Sequence, residues 1–327
     1  MEQFVFFGGK GGVGKTTVSC AYAYRCANAG LRTLVVSTDP AHSVSDVFDQ
    51  QFGDDPASVD GHENLWAMEI DPDEEVDRHM QEIKRAMGDQ VSPAIVNQID
   101  RQIELAHRTP GAYESALFDR FVDVMRNSDE FDRVVFDTSP TGGTLRLLGL
   151  PEFLENWIDR LLDKRAKSIE LFEKAAIGER EARRRAEDDP IIERLRKRKE
   201  TFEFAGDALR NEAAFYLVLN PDELSIRETS RAIDELTEHD LGVAGLVVNK
   251  VTPEPDDDET GRGAQYLRDR CQTERERIAE IERTFDEPVV ATIEERVEEV
   301  KGSLLDEVAA ELDVAVESAA TPGEPLQ

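Results

Sequence analysis

Cysteine is nearly missing from this 327-residue chain: there are three, Cys20, Cys26 and Cys271. None is in a CxxC pair, and so sparse and odd a set excludes a disulfide scaffold. Lysine is scarce too, with 10 Lys beside 29 Arg, and these 39 bases face 70 acids for a formal net charge of −31. That charge repels a phosphate backbone, so nucleic acid is excluded as a default partner. Abundant, evenly spread acid with little Lys suits solubility in concentrated salt, where repulsion is screened within a few ångströms. An acidic surface facing a basic partner is the alternative, and the even spread favours salt. No apolar run approaches about 20 residues, and no basic-then-apolar leader precedes the first apolar stretch. The expectation is a soluble, cytoplasmic protein with no direct membrane insertion, whose membrane role, if it has one, passes through a partner.

What is present suffices for a large core: 39% of residues are hydrophobic. Residues 3–8 read as a buried strand, followed by a glycine loop and a helix from Thr16 to about Ala29 that Gly30 closes. Further strands are expected at 31–39, 65–70, 132–140, 213–221, 241–251 and 287–293, with 73–130 mostly helical. Strands alternating with helices predict an α/β fold with a doubly wound, mainly parallel sheet. The reading is one domain from 1–150 and 213–315, interrupted by a helical subdomain at 151–212 that is rich in Arg, Lys and Glu. A solvated helical hairpin is the other reading of that insert. The stretch 251–263 has the acidic composition of a flexible loop, and 316–327 is expected to be a disordered tail. No internal repeat is visible.

Gly9-Lys10-Gly11-Gly12-Val13-Gly14-Lys15-Thr16 satisfies G-x-x-x-x-G-K-[ST] between an apolar strand and a helix, the context that confirms a phosphate-binding loop. Its glycines turn backbone N–H groups inward around a β-phosphate, and the helix N-terminus adds its dipole. Gly9, Gly11, Gly12, Val13, Gly14, Lys15, Thr16 and Thr17 are thus the expected nucleotide-binding residues, with Lys15 on the β/γ oxygens and the Thr16 hydroxyl offered to Mg²⁺. Lys10 is the departure, because one lysine already serves the loop. Lys15 and the backbone occupy the space around its own γ-phosphate. Lys10 therefore reads as pointing outward to a phosphate held by a second subunit, acting in trans as an arginine finger does. A solvated surface lysine is the alternative.

Two segments suit the rest of such a site. In STDPAHSVSD (37–46), Asp39 can orient an attacking water, Pro40 stiffens the turn, and His42 and Ser43 can sense a phosphate. Asp39 alone is also compatible with a strand-end cap. In VVFDTSPTGGTLRLLGLP (134–151), Asp137 ends a strand where a carboxylate contacts Mg²⁺, commonly through water, and Gly142-Gly143 gives a loop able to change shape. Asn249, before Lys250 at another strand end, can pair with an adenine edge or simply make a turn.

Together GGKGGVGKTT, DPAHSVSD and DTSPTGGTLRLL resemble one family: the ATPases that drive arsenite pumps and the related eukaryotic and archaeal ATPases that deliver tail-anchored membrane proteins. The likeness is strong over 1–150, fair over 213–305 and weak over 151–212. It implies an ATP- and Mg²⁺-dependent homodimer, open when empty and closed with ATP, in which Lys10 crosses the interface, Asp39 activates water and Asp137 couples hydrolysis to a switch. Three departures stand out. The family's CxxC zinc clasp is reduced to Cys271 in Leu267-Arg268-Asp269-Arg270-Cys271, and two thiolates per dimer are too few for tetrahedral zinc, so no structural zinc is expected. Cys20 and Cys26 lie six apart on a helix and read as core residues, not a metalloid site. Gly143 stands where the family commonly has a histidine.

The client is open. A groove for a transmembrane helix needs a wide apolar, often Met-rich trough, and 151–212 contains no Met. Phe153, Leu154, Trp157, Ile158, Leu161 and Leu162 recur at helical spacing. They form either such a stripe or a face packed on the parent domain, and the packed face is the favoured reading. The function is expected to be delivery or shielding of a membrane-protein client. The alternatives are a motor subunit on an arsenite or anion efflux carrier and a nucleotide switch without a membrane client.

Overall fold

The computed structural model describes residues 2–38, 43–71, 78, 112–137, 190–314 and 316. Among the described residues eight strands form one sheet: β1 (Phe4–Gly9), β2 (Thr33–Ser37), β3 (Ala57–Ser58), β4 (Leu65–Glu69), β5 (Arg133–Asp137), β6 (Ala213–Leu219), β7 (Val243–Val251) and β8 (Val289–Glu294). Their spatial order is β3-β4-β2-β5-β1-β6-β7-β8. All neighbours are parallel except β3, which runs antiparallel to β4. The α/β, mainly parallel sheet expected from the alternation is therefore present. Every expected strand occurs, with ends moved by up to three residues. Two-residue β3 carries too short a pattern to read.

Successive residues of a strand point to opposite faces, and β1 shows why its apolar run is unbroken. Phe4 and Phe6 enter one core layer, Val5 and Phe7 the other. The first layer is aromatic: the Phe6 ring stacks on Phe136 at 4.5 Å and on Phe215 at 4.9 Å between centroids. It is covered by α3 (Ala112–Arg126), α4 (Pro190–Asn211), α5 (Glu223–Thr237) and α6 (Arg262–Thr284). The second layer lies under α1 (Lys15–Asn28) and α7 (Ser303–Glu311). Gly30, at φ +90°, accommodates the left-handed turn that ends α1. The short α2 (Ser43–Phe48) follows β2.

Helix α4 belongs to the stretch expected as an inserted subdomain. Its Phe202, Ala205, Ala208 and Leu209 are buried in the first core layer, and Phe202 meets Phe118 of α3 at 5.2 Å. This end of the segment packs as part of the sheet domain. Residues 151–189, with the apolar stripe from Phe153 to Leu162, lie outside the described residues, as does the tail from 317. The acidic loop after β7 is tied to α6: Arg268 Nη2 donates to the Asp256 and Glu259 carbonyls at 2.8 Å each, and Arg275 pairs with Glu254. Among the described residues, no helix is long and apolar enough to cross a membrane.

Candidate nucleotide site

In an open parallel sheet, ligands bind beyond the carboxyl ends of the strands where successive connections diverge. Here β1 is flanked by β5 and β6, and its carboxyl end runs into the glycine loop. Two of the loop's glycines are required by geometry. A Cβ at Gly9, φ +142°, would stand 2.2 Å from the Val218 carbonyl oxygen; one at Gly14, φ +91°, would stand 2.3 Å from Asn249 Nδ2. Gly14 caps α1 without a side-chain hydrogen bond, and no acid lies in the helix's first turn. The positive end of the helix dipole thus faces the loop with no acidic side chain to offset it, which is what a phosphate needs.

The loop's side chains converge. Lys15 is only 8% exposed and its ammonium donates to the Lys10 carbonyl at 3.1 Å, which curls the loop over the lysine. Thr16 Oγ1 donates to Asp137 Oδ2 at 2.7 Å, and Ser37 Oγ donates to the same oxygen at 3.2 Å. Asp137 itself is 1% exposed. One hydroxyl and one carboxylate side by side are hard oxygen donors, and they suit Mg²⁺, which takes few protein ligands and keeps waters and phosphate oxygens. Among the described residues no cluster of three or more His, Cys, Asp or Glu could hold a metal by itself. Thr17 follows in the first turn of α1, half-buried, and the Lys10 side chain is likewise half-buried.

Asn249 is brought to the loop, but its amide nitrogen donates to the Val13 carbonyl at 2.7 Å. In this state it braces the loop. Its neighbour Lys250 donates to the Gly12 carbonyl at 2.7 Å. Asp39, His42 and the segment from Thr138 through Gly143 lie outside the described residues. The anchor of the Asp39 segment is nonetheless visible. Buried Glu69, at the end of β4, accepts from the Ser45 N–H at 2.8 Å and the Ser45 hydroxyl at 2.7 Å. Glu69, Ser37 and Lys250 were not singled out from the sequence. A carboxylate ending the apolar stretch LWAME was the only local signal.

The three cysteines are all buried. Cys20 and Cys26 both enter the second core layer although they lie six residues apart, because α1 is covered by the sheet on one side and α7 on another. Burial pushes the Cys20 thiol well above its ordinary value, with the negative charges of Asp137 and Glu69 adding to the effect. Burial likewise pushes Cys26 up to about 11. Cys271 donates its thiol to the Thr252 carbonyl at 3.4 Å. The residue three before it, Arg268, holds the same loop by its carbonyls. Arg268 and Cys271 thus both act within the chain, fastening the loop after β7 to α6.

A family model described as an anion-transporting ATPase matches residues 2–313. The chain is 33% identical over 299 residues to a protein of Aquifex aeolicus named putative arsenical pump-driving ATPase 2, covering 91% of this chain and 94% of that one. It is 35% identical over 256 residues to the ATPase ASNA1 homolog 1 of Paramecium tetraurelia, covering 76% of this chain and 75% of the other. It is 32% identical over 305 residues to the ATPase GET3 of Podospora anserina, covering 92% and 87%.

Proposed function

Because the chain belongs to the anion-transporting ATPase family and is an ATPase, we propose that it works as a homodimer whose ATP-driven closure shields or delivers a membrane-protein client. The observation that carries the nucleotide half of this reading is the convergence of Lys15, Thr16 and Asp137 under an uncapped helix terminus. The loop N–H groups and Lys15 bind the phosphates and align them. Thr16 and Asp137 would hold Mg²⁺, and the ion would supply charge neutralisation at the transferring group. Asp39 orients the water that attacks, and Asn249 reaches the adenine edge once it leaves Val13. Lys10, half-buried at the loop, reaches across to the partner's nucleotide and stabilises the charge that develops there. The protein works in the cytoplasm, and its −31 charge suits a salt-rich one.

The cysteines favour a protein client over a metalloid. A soft ion needs thiolates, and all three thiols are buried. Cys20 and Cys26 are held protonated by burial. The relatives' names divide between arsenical pump-driving and GET3 or ASNA1 ATPases, so a motor subunit on an arsenite or anion carrier is the second reading. One capture experiment separates the two. An Asp39→Asn variant, slowed in hydrolysis, is expressed in the native host and isolated in molar KCl with ATP, and its partners are identified by mass spectrometry. Proteins with a single C-terminal transmembrane helix are the expected catch. A single multi-span carrier without them would overturn the delivery reading in favour of the motor.

A further inference from the structure

We propose that Lys250 is a positioning residue for the phosphate-binding loop, aimed at it by a β-bulge and fixing its shape before nucleotide arrives. Three residues of β7, from Val248 to Val251, pass while β8 advances only two, from Thr292 to Glu294. The extra residue is accommodated where Lys250 takes φ +58°. A left-handed backbone is unfavourable at a long, non-glycine side chain and persists only where the surroundings hold it. Bulges re-aim side chains next to functional sites, and here the ammonium lands on the Gly12 carbonyl at 2.7 Å.

The bulge is held from behind. Two residues on, the Thr252 N–H and hydroxyl donate to the two oxygens of buried Glu274 at 2.7 and 2.8 Å, and its carbonyl accepts the Cys271 thiol. Thr252 therefore has its backbone N–H, carbonyl and hydroxyl all fastened to α6. The chain cannot relax out of the strained turn without breaking those bonds. In front, Asn249 occupies the Val13 carbonyl at 2.7 Å. Consecutive loop carbonyls, Gly12 and Val13, are thus both pinned from β7, 236 to 238 residues away in sequence.

Charge makes the choice of partner informative. The chain carries 70 acids, yet among the described residues Lys250 forms no ion pair; its hydrogen bond is to a neutral carbonyl. A carbonyl pulled outward turns the opposite side of its peptide, the N–H, inward, where a phosphate oxygen would accept it. The ammonium also brings positive charge to the rim of an anion site in an otherwise acidic protein. A loop already held in its binding shape loses less freedom on binding, so the clamp raises the fraction of binding-competent molecules.

This inference rests on the nucleotide-binding reading and deepens it. The test uses the full chain with Lys250→Asn and Lys250→Gly, since both residues accept positive φ and keep the bulge unstrained. The readouts are the affinities for ADP and for a non-hydrolysable ATP analogue with Mg²⁺, KM against kcat for ATP, and the nucleotide-free Tm. The expected result is a loss of roughly tenfold in both affinities, the worth of a charged hydrogen bond. KM should rise by several times more than kcat falls, because bound phosphate itself orders the loop. Nucleotide-free Tm should stay within about 3 °C of wild type. Affinities within twofold of wild type in both variants would overturn the proposal. So would a Tm loss that tracks the affinity loss, which would make Lys250 a fold-supporting contact only. Wild-type protein that took up neither nucleotide would remove the nucleotide-binding reading itself, a different failure.

Discussion

Thr16 and Asp137 are 121 residues apart in sequence, yet the threonine hydroxyl donates to the carboxylate across 2.7 Å. Neighbouring β1 and β5 bring them together, with Phe7 opposite Asp137 in the parallel register. Asp137→Asn keeps the shape of this contact and removes its charge. ATP hydrolysis should then fall about 100-fold or more, and the remaining activity should need higher Mg²⁺. Turnover measured against Mg²⁺ concentration checks this. An unchanged Mg²⁺ dependence would separate Asp137 from the metal.

Lys10 lends the loop its carbonyl, which Lys15 occupies at 3.1 Å, so the Lys10 backbone is committed and its side chain is left for other work. Lys10→Ala is expected to retain nucleotide affinity within about threefold while losing hydrolysis by about 10³-fold, the scale of an arginine finger. Single-turnover hydrolysis beside nucleotide titration reads both. An unchanged hydrolysis rate would sink the trans role.

The two tight glycines should not be equivalent. The added carbon of Gly9→Ala meets a backbone carbonyl of a central strand, whereas that of Gly14→Ala meets the movable Asn249 amide. Chemical denaturation should show a cost of about 3 kcal/mol or more for Gly9→Ala, and about 1–2 kcal/mol for Gly14→Ala from its positive φ together with the displaced Asn249 amide. Adding Asn249→Ala should recover part of the Gly14→Ala loss and none of the Gly9→Ala loss.

Phe6 is stacked on both sides, by Phe136 and Phe215. Phe6→Ala leaves a cavity at the centre of the first core layer and should cost about 3–5 kcal/mol. Urea unfolding should show a lower midpoint with an unchanged slope. A loss below 1 kcal/mol would mean that the layer collapses onto the gap.

Cys26 is raised from its ordinary 9.0 to about 11 by burial. The folded protein therefore binds the thiol proton more tightly than the unfolded chain does. This contribution is fully present below pH 9 and is lost as pH rises from 9 through 11. Thermal unfolding should show Tm falling across that window, and less steeply in a Cys26→Ala variant compared with its own neutral-pH value. At pH 8, alkylation of all three buried thiols should be slow until denaturant is added.

Much of the candidate site was legible because a glycine loop between a strand and a helix is a local object. The string from Gly9 to Thr16, with glycines where φ is positive, needs no distant partner to be recognised. The strands were legible for a related reason: a parallel sheet buried on both faces writes near-continuous apolar runs such as FVFF and LVVS. The expected subdomain at 151–212 shows the limit. Its charged composition gave no sign that Phe202 and Leu209 of α4 would close the aromatic layer.

The sequence by itself determined the α/β alternation, the glycine loop between β1 and α1 and the carboxylate that ends β5, since each is written in neighbouring residues. The tertiary structure alone decided that Asn249 and Lys250 grip the loop, that Glu69 anchors α2 through Ser45, and that Cys271 fastens a loop of its own chain. These contacts join residues from 19 to 238 positions apart. Their existence depends on strand order, on a one-residue bulge and on which helix face meets the sheet. Those are properties of packing, and no short stretch of sequence carries them.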